Sequence, residues 1–431
     1  MATQRSWEPP SVISREEIVK LHDEVAGMPV IQTQTREDIF RIHALEMAWD
    51  IGVVVYQPLD SAKVPSGPDG KKVGIFLIHG GVSDYKSVEC VARPLAEKFG
   101  LKVASLTYPG RFYFLDPSRN WPGDVENPDG SARTPLWTRE TRITRDQYEV
   151  VQDTSKRENY GTIISLAAKE GTEFYYRMAA WPAAFEAAIK ETARRHFPED
   201  QYSIYIHGHS TGGPFAMMAT QRVANIAGVV GYGTSPFGYM FPQISGDNWD
   251  FPFNLLRLRT WRDTARYLYE GLKDKGIGLP MMIELTFERW ENSKRRPNFK
   301  AEDFVHKNST TALEAAARVS AARLKLSDRD TEALVQQYLG YTRELSGAGV
   351  KPVPPFLSIH GIHDDTVTLA RCQRSLPLFA RLVPPPKVRC VSIGAGVHTW
   401  SYTEPPDLPQ GIATAVAKLW HDAIMNGFYL V

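Results

Sequence analysis

Short, continuous apolar runs recur along the 431-residue chain and constrain its fold more than any other feature. VGIFLI at 73–78, YSIYIH at 202–207 and IAGVVGY at 226–232 show little alternation between polar and apolar residues. Such runs are typical of strands that are covered on both faces, as in a parallel sheet. Segments with helical periodicity separate them, so the sequence predicts an α/β architecture with a mostly parallel, doubly wound sheet.

The pattern also predicts how the chain is divided. A core of strands and helices is interrupted by an insertion rich in proline, glycine and tryptophan, and later by a long block in which apolar residues recur at steps of three and four. A further helical stretch is predicted over residues 163–195. The predicted segments are an N-terminal arm, helical or irregular (1–35), a first core part (36–236, with the insertion at about 109–160), a helical lid (237–350) and a second core part (351–431).

The charge balance and cysteine content limit the classes of partner. Fifty basic and 49 acidic residues give a formal net charge of +1, which favours neither nucleic acid nor an acidic membrane surface as the partner. Three cysteines without a CxxC pair argue against a disulfide framework or a zinc site. The N-terminus lacks a secretory signal and no apolar run is long enough to span a membrane. We therefore predict a cytoplasmic protein that acts on a small molecule, and leave homodimerisation open.

The strongest local motif is Gly208-His209-Ser210-Thr211-Gly212, which follows an apolar run and precedes a helical one. This strand–turn–helix context is the one that a G-x-S-x-G nucleophile elbow requires. The turn would lift Ser210 above the sheet edge and place it at a helix N-terminus, which favours developing negative charge. The alternative is a helix N-cap serine between loop glycines.

His79-Gly80-Gly81 ends the VGIFLI run, and in this topology its loop faces the elbow. An oxyanion hole would combine the Thr211 N–H with the N–H of Gly81 or Val82. A simple glycine turn after a strand is the alternative interpretation.

An acid is expected after the strand-like segment that ends at His360, because functional residues lie at the carboxyl ends of such strands. The Gly-x-x-Asp spacing favours Asp364, and Asp365 remains the alternative. His360 and His363 could suggest a metal site, but the sequence shows no companion cluster of ligands. We therefore predict no metal site.

His398 follows the last predicted strand and two glycines, Gly394 and Gly396, which would let the loop swing its imidazole over the serine. The order Ser210, Asp364, His398 is that of the α/β-hydrolase triad. His209 and Trp400, which neighbour the predicted serine and histidine, are expected to line the substrate pocket.

These four motifs together resemble the α/β-hydrolase superfamily over about 40–106, 202–232 and 355 to the C-terminus. The resemblance implies an α/β-hydrolase fold with an inserted helical lid. It also implies a serine hydrolase mechanism in which Ser210 is the nucleophile, His398 the general base and Asp364 the acid that orients the base. Such a mechanism needs neither a cofactor nor a metal. No subfamily is indicated.

Three functions remain open. The first is hydrolysis of a carboxylic ester or lactone of a medium-sized, partly apolar molecule through an acyl-enzyme. The second keeps the triad but cleaves an amide or a carbon–carbon bond. The third is a non-catalytic ligand-binding protein on the same fold, since a fold does not fix a function.

Overall fold

A computed structural model describes the protein at residues 11–44, 46–80, 85–110, 112, 137–141, 144–157, 161–168, 172–210, 212–234, 317–318, 321–322, 324–339, 352–364, 369, 386–394, 396–398 and 412–428. A nine-stranded sheet and a separate two-stranded hairpin organise these residues. None of the helices in this part of the chain combines the length and hydrophobicity needed to cross a bilayer.

Eleven strands are found among the described residues, and nine of them form the large sheet in the order β1-β11-β10-β9-β8-β4-β5-β3-β2. The remaining two, β6 and β7, pair with each other. The strands are β1 (Ser11–Ile13), β2 (Thr33–Ala44), β3 (Met47–Pro58), β4 (Lys72–Ile78), β5 (Lys102–Leu106), β6 (Tyr148–Arg157), β7 (Gly161–Ala168), β8 (Tyr202–Gly208), β9 (Ile226–Tyr232), β10 (Phe356–Gly361) and β11 (Val388–Ile393).

The pairing is parallel from β1 across to β5 and antiparallel where β3 and β2 extend the sheet beyond β5. After β4 the chain moves towards β5, whereas after β8 it moves towards β9 on the other side. The order therefore reverses between β4 and β8, and ligands of open α/β sheets bind at the carboxyl ends of strands at such a switch point.

Six helices have both ends within the described residues: α1 (Arg15–Gly27), α2 (Glu89–Glu97), α3 (Glu173–His196), α4 (Gly212–Arg222), α5 (Asp328–Leu339) and α6 (Ala413–Met425). Short 3-10 turns lie at Ser61–Lys63 and Arg145–Gln147. Helices α1, α2 and α6 pack together, and α3 and α4 form a second pair.

Strand β4 shows why the apolar runs are continuous. Val73, Ile75 and Leu77 belong to the buried cluster that includes α1, α2 and α6. Gly74 and Phe76 point to the opposite face, where the ring of Phe197, just after α3, packs against both of them. Helices cover both faces of the sheet, so the predicted doubly wound α/β architecture is confirmed.

The N-terminal segment is more integrated than the predicted arm. Strand β1 pairs with β11 as the edge of the sheet, and α1 buries Ile18 and Val25 completely. Strand β2 already begins at Thr33, within the predicted arm. Helix α1 agrees with the helical part of the predicted arm, whereas Ser11–Ile13 and the residues from Thr33 form strands. The sequence did not indicate these strands, because a three-residue strand and an edge strand with many exposed side chains lack a clear apolar pattern.

The prediction of a helix over 163–195 was wrong in its first part. Residues Gly161–Ala168 form β7, which pairs antiparallel with β6, and the helix occupies Glu173–His196. Strand β6 falls within the predicted insertion at 109–160. A short apolar segment such as TIISLAA fits strand and helix equally well when only local periodicity is considered.

Helix α5 lies in the segment predicted as a lid, and it is helical as expected. Most of 237–350 lies outside the described residues, and the lid remains a prediction.

Candidate active site

The turn between β8 and α4 holds Ser210 in a left-handed conformation, with φ at 51°. A Cβ on Gly208 would lie 2.0 Å from the carbonyl oxygen of Gly212, so the turn leaves no space for a side chain there. The Ser210 N–H donates to the carbonyl of Gly233 on the neighbouring loop, over 3.1 Å. A non-glycine residue at positive φ is strained and persists where the surroundings hold it, which is the property expected of a nucleophile elbow.

The loop after β4 lies against this turn, as the sequence predicts. His209 N–H donates to the carbonyl of Ile78 over 2.9 Å. A Cβ on Gly80 would lie 3.0 Å from the His209 ring and 3.4 Å from Ser210 Cβ. Tyr108 donates its hydroxyl proton to the His79 carbonyl over 2.8 Å, which anchors the loop from the other side.

The loops after β10 and β11 bring a carboxylate and an imidazole together. Asp364 Oδ2 accepts a hydrogen bond from His398 Nδ1 over 2.9 Å. The Asp364 side chain is fully buried, whereas 16% of the His398 side chain is exposed. A buried carboxylate bonded to Nδ1 fixes the tautomer and leaves Nε2 as the basic nitrogen.

Gly233 joins these loops at one point. It follows β9 at φ 56°, donates its N–H to the carbonyl of Ile359 and accepts from Ser210. A Cβ at this position would lie 3.2 Å from the His209 ring, 3.3 Å from the His398 carbonyl oxygen and 3.4 Å from Asp364 Oδ2. The serine turn and the acid–histidine pair are therefore immediate neighbours across a glycine.

The fold follows from this topology. A serine turn after the central strand β8, an acid after β10 and a histidine after β11 lie at the carboxyl ends of the strands in a sheet ordered β2-β3-β5-β4-β8-β9-β10-β11-β1. The chain has the α/β-hydrolase fold. No protein-family model matches it, and no curated protein shows significant similarity to it.

Solved structures show distant similarity. A protein described as a hydrolase from Agrobacterium vitis S4 is 14% identical, with 91% of this chain and 99% of that chain covered, at a TM-score of 0.39. The acylaminoacyl peptidase of Pyrococcus horikoshii is 12% identical at a TM-score of 0.38, and the match covers 90% of this chain but 41% of the peptidase. A meta-cleavage product hydrolase of Pseudomonas fluorescens IP01 is 16% identical at a TM-score of 0.33, and the match covers 89% of this chain and 98% of that chain. Because this similarity is so distant, the function has to be argued from the site itself.

Two buried rings, those of His209 and Tyr232, lie next to the acid–histidine pair. The rings of His209 and His398 have centroids 4.9 Å apart, and His209 stacks on Tyr232 at 6.4 Å. Burial, and then the nearby His398, holds the pKa of His209 well below its ordinary value, so its imidazole is neutral. Its Nδ1 therefore donates to the Tyr232 carbonyl, over 3.2 Å.

Burial also lowers the pKa of His360, to about 4. Its Nε2 lies 2.5 Å from the hydroxyl of Ser358 on the same strand. His360, the first histidine of the H-x-x-H-D segment, is therefore a neutral core residue near the end of β10.

The remaining predicted site residues are not placed by the structure. Five of them lie outside the described residues: Gly81, Val82, Thr211, Asp365 and Trp400. The oxyanion-hole and pocket assignments and the role of the second aspartate therefore remain predictions. Of the predicted pocket residues, His209 is described, with 5% of its surface exposed.

Sequence reasoning missed the residues that connect the loops. Gly233 and Thr234 follow β9, and the Thr234 hydroxyl donates to the Gly208 carbonyl over 2.5 Å. Tyr232 donates its hydroxyl proton to the carbonyl of Val397, the residue before His398. A glycine directly after an apolar strand adjacent to the elbow was the available signal, since that position demands close backbone approach.

Proposed function

We propose that the protein is a serine hydrolase that uses Ser210 as nucleophile, His398 as general base and Asp364 as the acid that orients the base. The observation that carries this proposal is the contact at Gly233 between a strained serine turn and a buried acid–histidine pair. A core serine or a structural histidine requires neither the positive φ nor the buried carboxylate partner.

The chemistry proceeds in two steps. His398 Nε2 takes the proton of the Ser210 hydroxyl while the oxygen attacks the substrate carbonyl, and the same nitrogen then protonates the leaving group. Water, deprotonated by His398, attacks the resulting acyl-enzyme and releases the acid. Asp364 stabilises the imidazolium that forms in each step.

The negative charge of the tetrahedral intermediate needs hydrogen-bond donors. Helix α4 begins at Gly212, directly after the serine turn, so its positive end lies beside the reacting oxygen. We propose the backbone N–H groups of Thr211 and of Gly81 or Val82 as the oxyanion hole.

The substrate class is proposed as a carboxylic ester or lactone of a medium-sized, partly apolar molecule. Amide or carbon–carbon bond cleavage by the same triad is the second candidate, favoured by no additional observation. A binding protein is disfavoured, because ligand binding alone does not require the buried Asp364 bonded to His398.

Hydrolysis of p-nitrophenyl esters of graded chain length tests the proposal. We expect turnover by the wild type and a loss of kcat of roughly 10⁴–10⁶-fold in Ser210→Ala, since removing a triad member leaves only binding and oxyanion stabilisation. Ser105→Ala is the matched control, because Ser105 is a fully buried serine within β5 and should retain activity within about twofold.

The outcomes separate the candidates. Labelling of Ser210 by a fluorophosphonate without ester turnover would point to an amide or carbon–carbon bond hydrolase. Absence of both labelling and turnover would refute a serine hydrolase. Asp364→Asn and Asp365→Asn identify the acid, and we expect the large loss, about 10⁴-fold in kcat, at Asp364.

A further inference from the structure

The carbonyl group directly before the proposed base is held by a side chain from another strand. Tyr232, the last residue of β9, donates its hydroxyl proton to the Val397 carbonyl oxygen. Val397 and His398 share one peptide plane, so this bond restricts the rotation that would carry the imidazole away from its position. Tyr232 is fully buried, so its hydroxyl reaches the Val397 carbonyl from inside the core.

Other contacts fix Tyr232 itself. Its ring stacks on His209 with an interplanar angle of 14°, and its backbone carbonyl accepts from the His209 imidazole. Burial, and secondarily the charge of Asp364, raises the pKa of Tyr232 well above its ordinary value, so the phenol keeps its proton at every pH at which the enzyme would work. The Tyr232 hydroxyl therefore stays protonated and is held in one orientation.

Other hydrogen bonds hold the histidine loop on either side of this peptide. The Gly396 carbonyl accepts from His363 N–H over 3.0 Å, one residue before Val397. The His398 side chain is held by Asp364 at Nδ1. Tyr232 thus supplies the restraint on the peptide between these two points.

We propose that Tyr232 is a positioning residue, whose hydroxyl holds the Val397–His398 peptide so that His398 Nε2 meets the Ser210 hydroxyl. This proposal rests on the serine hydrolase function proposed above. A misplacement of about 1 Å in a catalytic group can cost about 100-fold in rate, so loss of this one hydrogen bond should be visible in the chemical step.

The test measures phosphonylation of Ser210 by a small alkyl fluorophosphonate, which requires the serine and its base but no knowledge of the substrate. The Ser210 oxygen bonds to phosphorus, fluoride leaves, and the hydroxyl proton passes to His398. We expect Tyr232→Phe to lower the maximal labelling rate by 10- to 100-fold while the half-saturating probe concentration stays within twofold.

Tyr205→Phe is the matched control. Tyr205 is a buried tyrosine on the neighbouring strand β8 that stacks on Phe428, and a Cβ on Gly67 would lie 3.6 Å from its hydroxyl oxygen. Its variant should label like the wild type. Placing p-aminophenylalanine at position 232 restores an N–H donor and should return the rate to within about threefold of the wild type, which a loss of packing alone would not do.

Each result decides the proposal. Labelling of Tyr232→Phe at the wild-type rate overturns the positioning role and leaves the serine hydrolase standing, whereas a wild type that neither labels at Ser210 nor hydrolyses esters removes both. If Tyr232→Phe does not fold, the p-aminophenylalanine variant carries the test. A tenfold loss in that variant would contradict the proposal, and a rate close to that of the wild type would support it.

Discussion

Two pairs of glycines in the site are required by backbone contact. A Cβ on Gly208 would meet the Gly212 carbonyl oxygen at 2.0 Å, and one on Gly361 would meet the Gly396 carbonyl oxygen at the same distance. The second pair joins the acid loop to the histidine loop. Gly396, which we expected to give the histidine loop freedom to swing, therefore also allows the two loops to touch.

We predict that Gly208→Ala abolishes the activity and lowers the free energy of unfolding by about 3 kcal/mol, because the backbone of the turn has to move to admit a methyl group. Urea unfolding and the fluorophosphonate labelling rate measure the two effects. Gly27→Ala is the control, since a Cβ there meets nothing within 4 Å, and it should leave both quantities nearly unchanged. A stable, active Gly208→Ala variant would show that the turn has more room than the structure indicates.

At the scale of elements, α1 ties the N-terminal segment to the core. Ser14 caps the helix in a reciprocal pair: its hydroxyl accepts from Glu17 N–H over 3.2 Å, and the Glu17 carboxylate accepts from Ser14 N–H over 2.7 Å. The helix packs on α6, whose Lys418 reaches Glu24 over 3.1 Å. The cap therefore stabilises the junction between β1 at the sheet edge and the C-terminal helix.

Ser14→Ala is expected to lower the free energy of unfolding by about 1 kcal/mol, because the first turn of α1 loses its side-chain acceptor. Ser14→Thr retains the hydroxyl and should lower the free energy of unfolding by only about a few tenths of a kcal/mol. Urea unfolding of the two variants and the wild type provides the measurement. Equal stability of the alanine and threonine variants would show that the cap contributes nothing.

The molecule as a whole encloses several histidines that stay neutral. Burial lowers the pKa of His207 to about 3, of His360 to about 4 and of His196 to about 4. In the unfolded chain each would titrate near 6.5. Between pH 6.5 and about 4 the unfolded state therefore binds more protons than the folded state, and the free energy of unfolding falls as the pH is lowered.

We predict a loss of stability on acidification that begins below pH 6.5, with each such histidine contributing a limiting slope of about 1.4 kcal/mol per pH unit. His207→Asn isolates one of them, since an amide N–H can still donate to the Val230 carbonyl that His207 Nδ1 contacts over 3.0 Å. Urea unfolding between pH 8 and 4 should show that the free energy of unfolding of the variant falls less steeply with decreasing pH, by about one proton or about 1.4 kcal/mol per pH unit. An unchanged slope would mean that His207 is protonated in the folded protein.

Local sequence patterns predicted much of the sheet correctly. The runs that became β4, β8 and β9 were recognisable because strands buried on both faces contain few polar residues. The elbow motif was recognisable because its glycines are demanded by backbone contacts within a few residues of one another. Both signals are local, so no knowledge of distant contacts was needed.

The sequence by itself determined the fold class, the serine turn and the chain order of the candidate triad. Only the tertiary structure decided that β1 completes the sheet, that Asp364 bonds to His398, and that Gly233 and Tyr232 join the loops. Strand pairing and loop-to-loop contacts depend on residues far apart in the chain, and a three-residue strand or a buried phenol leaves no periodic trace. Such contacts are selected by the packing of the whole core and not by the propensity of any one segment.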